Sequence, residues 1–378
     1  MSNARTFEVT ITPLEPYYFG GEKTFFKEPD SNESQEYYVR SNVYPQQTAL
    51  LGAMRYVLLE QNGLLPIHSF KREATALIGA TSFDFSQTGQ TFGVIKELSP
   101  IFFKNSEGWL RETERDNDIS LIDRAGSVSL IAGRGAKETK TNLLKGYNVK
   151  DGIAKSWVNS NGKVFDNRSK QQIIFRHTEQ VGIQKNKGEG DQESFYKQVY
   201  IKLENDFSFV FQITLHENVP FVFVPNGPDQ KQIRFADALF TMGGERSPFR
   251  LQVKDLQRQD INYQDIIRAP QRSNAPKLTL LSDAIMDLDG LNRSKFVLAE
   301  TVDFRQLRTS VEKTESYSRR SLYEKEKYVE RSEKYKLLEK GGVLFFNNNE
   351  ELRAIAQKLE EHPAYKIGFN HYLTILTN

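Results

Sequence analysis

The stretch Phe240-Thr241-Met242-Gly243-Gly244-Glu245-Arg246-Ser247 lies between two different hydrophobic patterns. Upstream, Ile233, Ala236, Leu239 and Phe240 recur at three- and four-residue steps, which predicts one face of a helix. Downstream, Phe249, Leu251 and Val253 alternate with Arg250, Gln252 and Lys254, the two-residue period of a half-buried strand. Gly243 suits the left-handed conformation that ends a helix, and Gly244 lets another backbone come close. By itself the run reads as a helix C-cap followed by a returning strand. With an arginine and a serine beside the glycines, it also carries the amides, hydroxyl and guanidinium that hold a phosphate chain.

Working outward, residues 6–14 alternate Phe7, Val9 and Ile11 with Glu8, Thr10 and Thr12, a first strand. Pro45-Gln46-Gln47-Thr48 opens a helix with Leu50, Met54, Val57 and Leu58 inward and Asn62-Gly63 as its stop. Short strands are expected around Ile101-Phe102-Phe103 and from Ser127 to Ile131, within long polar connections. Gln171 to His177 and Tyr196 to Leu203 read as paired strands, and Phe207, Phe209, Phe211, Ile213 and Leu215 mark the clearest strand of all. The order strand, helix, strands, helix, strand is the βαββαβ pattern of an antiparallel sheet with helices on one face.

The C-terminal third repeats part of that order. Strands are expected over Pro276 to Met286 and Gly342 to Phe346. A helix carries Leu352, Ile355 and Leu359, opened by Asn348 with Glu351 three residues on and closed by His362-Pro363. Ile367-Gly368-Phe369 then leads into Tyr372 to Leu376. The fold class expected is α+β, two tandem ferredoxin-like (RRM-like) domains with long insertions. The first domain covers 1–258 and the second 276–378, with the boundary in the polar stretch 258–275. The segment 303–340 holds eleven Lys/Arg and eight Asp/Glu and reads as an exposed helical or hairpin insertion within the second domain, held by charge pairs.

A chain of 378 residues is long enough for two such cores. With 26 Phe, 16 Tyr and 26% charged residues it is not a disordered chain, and the lack of cysteine excludes disulfide scaffolds and thiolate metal sites. No apolar run approaches membrane-helix length, so a soluble, cytoplasmic protein is expected. The net charge of +2 is nearly neutral, but it is unevenly spread. Residues 134–187 hold twelve Lys/Arg against four Asp/Glu, and 231–277 hold nine against five, which makes a polyanion partner worth testing.

Catalytic patterns are scarce. The five histidines at 68, 177, 216, 362 and 371 have no metal-ligand spacing. Asp287-Leu288-Asp289-Gly290 opens like a calcium loop, yet Leu291 and Leu298 occupy positions that need oxygen ligands. Gly133-Arg134-Gly135-Ala136-Lys137 lacks the Gly-Lys-Ser/Thr ending of a phosphate loop. No metal, cofactor or catalytic residue is assigned.

Four segments carry a resemblance to a known family. They are Thr12-Pro13-Leu14-Glu15-Pro16-Tyr17-Tyr18-Phe19, Tyr44-Pro45-Gln46-Gln47-Thr48-Ala49-Leu50-Leu51-Gly52-Ala53-Met54-Arg55, Val181-Gly182-Ile183 with Phe195-Tyr196, and Gly243-Gly244-Glu245-Arg246. Together they resemble the RAMP superfamily of CRISPR proteins, and within it the family of third subunits of type III-B (Cmr) effector complexes. Gln46-Gln47 departs from that family's Pro-Ser, and beyond residue 276 the likeness thins to 340–346 and the closing strand.

The resemblance implies a non-catalytic subunit that binds the 5′ tag of the CRISPR RNA. It also implies docking to the large polymerase-cyclase subunit and to the first backbone subunit. A single-stranded tag calls for a basic groove, backbone amides and aromatic faces. The candidate contacts are Gly243, Gly244, Arg246, Ser247, Arg250, Arg55 and Arg40, with Gln47 and Thr48 as polar partners and Tyr18, flanked by Tyr17 and Phe19, for stacking. Glu245 is expected to orient an arginine. The competing reading is an endoribonuclease of the same superfamily, for which His68 is the serviceable general base or acid.

Overall fold

The computed structural model describes residues 4–20, 23–27, 35–116, 121–124, 127–130, 155–167, 172–184, 194–216, 233–256, 262–268, 273, 275–311 and 330–377. It is a mixed α+β protein, mostly sheet with few helices.

The first strand, Ala4–Pro13, is the axis of the larger sheet. Its inward residues Phe7, Val9 and Ile11 oppose Ile213, Phe211 and Phe209 of the antiparallel strand Ser208–His216. On its other edge it pairs antiparallel with Ser247–Leu256, where Ile11 meets Leu251. Beyond Ser208–His216 lie Ile95–Leu98 and Phe102–Asn105, also antiparallel. The sheet continues on that side through Gly108–Glu112, Trp157–Asn159 and Val164–Phe165. Helix Gln47–Gln61 covers one face: Leu50, Met54, Val57 and Leu58 are all fully buried, as the 3.6-residue period requires. Asn62 caps it and Gly63 turns the chain at φ +67°. Under the helix, aromatic rings dominate the core, with Phe19 stacked on Phe249 at 5.9 Å and Phe103 on Phe209 at 5.4 Å.

One expectation at the deciding stretch fails. Residues 233–237 form no helix, and Ala238–Met242 is a strand paired with Ser247–Leu256. Within it Leu239 is exposed, Phe240 buried, Thr241 exposed and Met242 buried, a period of two. The helical set Ile233, Ala236, Leu239 and Phe240 has no two-residue period; the strand buries Phe240 and Met242, leaves Leu239 exposed, and is held by ladder pairing with Ser247–Leu256. The Gly243-Gly244 run is therefore a hairpin turn, not a helix cap.

The expected pair of strands near 171–203 is the antiparallel hairpin Phe175–Gln184 and Ser194–Leu203. Gln35–Arg40 joins it in parallel and Lys23–Lys27 forms the edge. A bridge from Tyr17 to Ile201 ties this sheet to the larger one.

Farther along the chain, Lys277–Leu280 pairs antiparallel with Val343–Phe345 on one side and Tyr372–Ile375 on the other, and Phe296–Leu298 adds to Val343–Phe345. Residues 281–286, expected as strand, leave the ladder. Helix Leu288–Arg293 follows, and the Asp287 carboxylate that imitated a calcium ligand caps it by accepting from the Gly290 amide. Helix Asn349–Glu361 starts as expected: the Asn348 side chain accepts from the Glu351 amide at 2.8 Å. Its Leu352, Ile355 and Leu359 pack with Leu278, Leu280, Leu344 and Phe346 in a second core.

Of the helical and hairpin readings open for the charged segment, its base takes the hairpin form. Thr301–Phe304 pairs with Tyr335–Leu338, and Leu307–Arg308 with Glu330–Arg331. Phe304, Val311 and Leu337 are buried in the first core, and Phe304 lies edge-on to Phe85 at 5.3 Å. Apolar residues at the two ends of the segment outweigh its charged middle; 312–329 lie outside the described residues. A buried ionic seam joins the two halves: Arg115 to Glu339 at 2.8 Å and Lys277 to Asp116 at 2.7 Å. No helix among the described residues is long and apolar enough to cross a membrane.

Candidate nucleic-acid interface

The turn 243–246 is closed by the Arg246 amide, which donates to the Gly243 carbonyl at 3.2 Å. Its two glycines serve different ends. Gly243 has φ +91°, and a Cβ there would lie 2.4 Å from the Tyr18 carbonyl oxygen, so the backbone itself requires glycine. At Gly244 a Cβ would meet only the Tyr18 ring at 3.7 Å, an ordinary contact, so that glycine leaves open space. Arg246 is exposed and held at φ +52°, a left-handed conformation that a non-glycine residue adopts at a cost.

Facing the turn is the outward side of helix Gln47–Gln61. A groove of about 580 Å3 runs between them, lined by Gly243, Gly244 and Arg246 on one wall and by Ala49, Gly52 and Tyr56 on the other. Among the described residues no carboxylate lines it. Tyr56 and Gly52 were not singled out from the sequence, although the signal was there: Ala49, Gly52 and Tyr56 fall on the face opposite Leu50, Met54 and Val57.

The other candidates divide. Arg250 is exposed, paired across the ladder with Thr12 and Leu239 on the face away from the core. Ser247 is buried beneath the turn, so its hydroxyl is not at the surface. Arg40 ends its strand on the smaller sheet; burial and then the Arg40 charge hold His177 below the ordinary imidazole range. Tyr17, Tyr18 and Phe19 are all buried, so they form the floor under the turn rather than stacking faces. Tyr18 packs against Tyr200 at 5.5 Å.

Two residues of the first helix turn inward. Gln47 is buried; its side-chain amide donates to the Ile367 carbonyl at 3.2 Å and accepts from the Ile101 amide at 3.1 Å. Arg55 is buried too, its Nη2 donating to the Thr81 carbonyl at 2.9 Å and its guanidinium over the Phe92 ring at 5.4 Å. Burial lowers it to about 10, so it stays charged at neutral pH. Thr48 is half-buried on the helix flank. Glu245 accepts from Gln198 Nε2 at 3.3 Å, tying the turn to the smaller sheet instead of orienting an arginine.

Among the histidines, His371 is fully buried and His362 caps the turn after the last helix by accepting from the Ala364 amide. The His68 side chain and the loop 133–137 lie outside the described residues. Among the described residues no group of three or more His, Asp or Glu is placed to hold a metal ion.

Comparison with solved structures finds chains of similar coarse shape. A chain of the type III-B Cmr-beta complex bound to cognate target RNA is 13% identical, with a TM-score of 0.48, covering 97% of this chain and 96% of that one. A second structure of that complex, with target RNA and AMPPnP, gives 13% and 0.47 over the same shares. A chain of the Csm3–Csm4 subcomplex of a type III-A interference complex gives 10% and 0.32, covering 98% and 99%. No curated protein matches the sequence. One family model does, that of the CRISPR-associated protein Cas_Cmr3, aligned to residues 9–377. A match that leaves out only eight residues at the start and one at the end takes in both sheets, the turn and the helix facing it. The chain belongs to the Cas_Cmr3 family of CRISPR-associated proteins.

Proposed function

We propose that this chain is a non-catalytic subunit of a type III-B CRISPR RNA-guided effector complex. In this reading it holds the 5′ tag of the CRISPR RNA and docks the large polymerase-cyclase subunit to the backbone subunit. Family membership supports the setting. The observation that carries the RNA reading is the groove at turn 243–246, where Arg246 is held in a costly backbone conformation beside an open glycine and, among the described residues, no carboxylate lines the walls. A sugar–phosphate chain fits that chemistry: Gly244 admits it and Arg246 gives a charge-assisted bond.

We also read the chain as two ferredoxin-like units, 1–258 and 276–378. Each sheet supports this by placing its strands in the spatial order fourth, first, third, second. In the first unit these are Ser247–Leu256, Ala4–Pro13, Ser208–His216 and the pair Ile95–Leu98 and Phe102–Asn105; in the second, Tyr372–Ile375, Lys277–Leu280, Val343–Phe345 and Phe296–Leu298.

The test is binding of tag RNA across a salt series. Arg246→Ala should weaken binding about tenfold and lower the salt slope by about one. Gly244→Arg should abolish binding despite its added charge, because the side chain fills the groove. Unchanged affinity in both variants, with melting temperatures preserved, would remove the turn from the interface. Metal-independent cutting of repeat RNA that vanishes in His68→Ala would overturn the non-catalytic reading.

A further inference from the structure

Where the two halves meet, a cavity of about 1040 Å3 opens between them. Tyr44 and Glu112 line it from the first half, and Asp283, Glu339 and Lys340 from the second. Lys340 stands apart from the other cations of the buried ionic seam. Arg115 and Lys155 are both bonded to the Glu339 carboxylate, and Lys277 to that of Asp116. Among the described residues the Lys340 Nζ has no hydrogen-bond acceptor: Glu112 Oε1, its ion-pair partner, is 3.9 Å away. The Tyr44 ring covers one side of the amine, 2.9 Å from nitrogen to centroid.

Both of these neighbours line the cavity, so the amine sits at its wall. Glu112 Oε2 and Arg115 Nε are closed off, whereas the Lys340 side chain keeps 16% of its surface. An ammonium has three donors, and with no acceptor in reach its charged form is poorly held. Burial lowers Lys340 to about 8, against the pull of Glu112 and Asp283 and with a push from Lys155. Near neutral pH a sizeable share of the amine is therefore unprotonated and nucleophilic.

The rest of the wall suits a small anion that carries an electrophile. Leu281, Phe304 and Phe369 give it apolar surface. Arg305 is exposed on it and has no ion-pair partner among the described residues. A guanidinium in that position matches the oxygens of a phosphoryl group.

We propose that Lys340 is an acylation site, modified within this cavity by a small acyl phosphate. The unprotonated Nζ attacks the acyl carbon, and the C–N bond forms as the bond from that carbon to the phosphate oxygen breaks. The proton lost by nitrogen leaves with inorganic phosphate, and Arg305 holds the phosphoryl group during transfer. The product is a neutral amide. Glu112 of one half and Asp283 of the other then lose the cation they share, so acylation weakens the seam between the halves. The site is independent of RNA binding at turn 243–246.

Acetyl phosphate is the probe, applied to the full chain and followed by peptide-resolved mass spectrometry. Lys336, exposed on the neighbouring strand Tyr335–Leu338, is the internal reference. At about pH 7.5 Lys340 should acetylate about tenfold faster than Lys336, its larger unprotonated share outweighing its partial burial. Its rate should level off above about 8, while that of Lys336 keeps rising to about pH 10. Arg305→Ala should slow acetyl phosphate several-fold and leave the rate with the uncharged acetyl ester of N-hydroxysuccinimide unchanged. Acetylated wild type should melt several degrees lower, whereas Lys340→Arg treated alike should keep its melting temperature. Equal rates at Lys340 and Lys336, or a Lys340 rate that climbs with that of Lys336 to about pH 10, would overturn the proposal. Acetylation of Lys340 that is indifferent to Arg305 would overturn the assignment to an acyl phosphate. An equal loss of melting temperature in treated Lys340→Arg would overturn the link to the seam. The rates are read on the wild type, so they decide the matter even if Lys340→Arg fails to fold.

Discussion

The turn at 243–246 and the turn at 368–370 are built alike: each begins on a glycine near φ +90°, and each contains a non-glycine residue at positive φ, Arg246 at +52° and Asn370 at +64°. These are the two such residues among those described. Their surroundings are opposite. Gly368 is packed against the first helix, where a Cβ would come within 2.7 Å of both the Gln47 side-chain amide and the Ser99 carbonyl. Asn370 is fully buried; its Oδ1 accepts from the Ile285 amide at 2.8 Å and its Nδ2 donates to the Leu359 carbonyl at 3.3 Å. Asparagine tolerates the left-handed region, and here its side chain is used inside the fold. Arginine gains nothing comparable at 246, where it stands in solvent beside a groove. One turn is packed against the first helix and the Ser99 carbonyl, and the other keeps a strained charge available at the surface.

The sharpest way to break this comparison is to add one methyl group to each turn. Gly368→Ala should cost about 3 kcal/mol, since strain at positive φ adds to the clash with Gln47 and Ser99. Gly244→Ala should stay within about 0.5 kcal/mol of wild type. Urea denaturation of both variants measures the difference, and equal losses would show that the two turns are not distinguished by packing.

A second test uses pH. His371, next to Asn370, is fully buried between Tyr263 and Tyr365: its Nε2 donates to the Tyr365 carbonyl at 2.8 Å, and Nδ1 accepts from the Tyr263 hydroxyl. Burial, opposed by the bond to the Tyr365 carbonyl, takes it down to about 4. The unfolded chain, near 6.5, takes up the proton that the folded state refuses. The stability from this neutral histidine is therefore complete above about 6.5 and is lost as pH falls toward 4. Between pH 7 and pH 5 the loss should be about 2 kcal/mol. His371→Gln should flatten that part of the stability profile, whereas variants of turn 243–246 should keep it. An unchanged slope in His371→Gln would assign the acid sensitivity elsewhere.

The smallest effect on stability is expected from replacing each positive-φ residue by glycine. Arg246→Gly relieves left-handed strain without losing a buried contact, so stability should hold or rise by up to about 1 kcal/mol. Asn370→Gly keeps the backbone conformation but leaves the Ile285 amide and the Leu359 carbonyl without their partner, a loss of about 1–2 kcal/mol. Opposite signs in paired thermal melts would sharpen the contrast; a matching loss at Arg246 would show that its side chain also supports the fold.

The parts of the fold that were legible in sequence are those where one period stands alone. Phe7, Val9 and Ile11 admit only a strand, as do Phe209, Phe211 and Ile213, and Leu352, Ile355 and Leu359 admit only a helix. Ile233 to Phe240 carried a helical spacing, and pairing with the partner strand Ser247–Leu256 overrode it. Asp287-Leu288-Asp289-Gly290 lacked oxygen ligands at the later calcium-loop positions, but its role as a helix cap needed the following helix to be seen. At the candidate interface, the position of the glycine turn was readable while the roles of its neighbours were not. The close backbone approach expected at Gly244 is found at Gly243, which has φ +91° and would set a Cβ 2.4 Å from the Tyr18 carbonyl oxygen, while Gly244 faces open space.

By itself the sequence determined the strands Ala4–Pro13 and Ser208–His216, the helices Gln47–Gln61 and Asn349–Glu361 with their inward faces, and the position of an arginine-bearing glycine turn. It did so because hydrophobic period and capping chemistry are local properties. Which polar residues of the first helix remain at the surface was decided only by the tertiary structure. Gln47 is claimed by Ile101 and Ile367, and Arg55 by Thr81 and Phe92, while Tyr56 on the same helix is left in water. Those partners arrive from up to 320 residues away along the chain, as Gln47 and Ile367 show, and a buried polar group takes whichever partner the packing of distant elements brings to it.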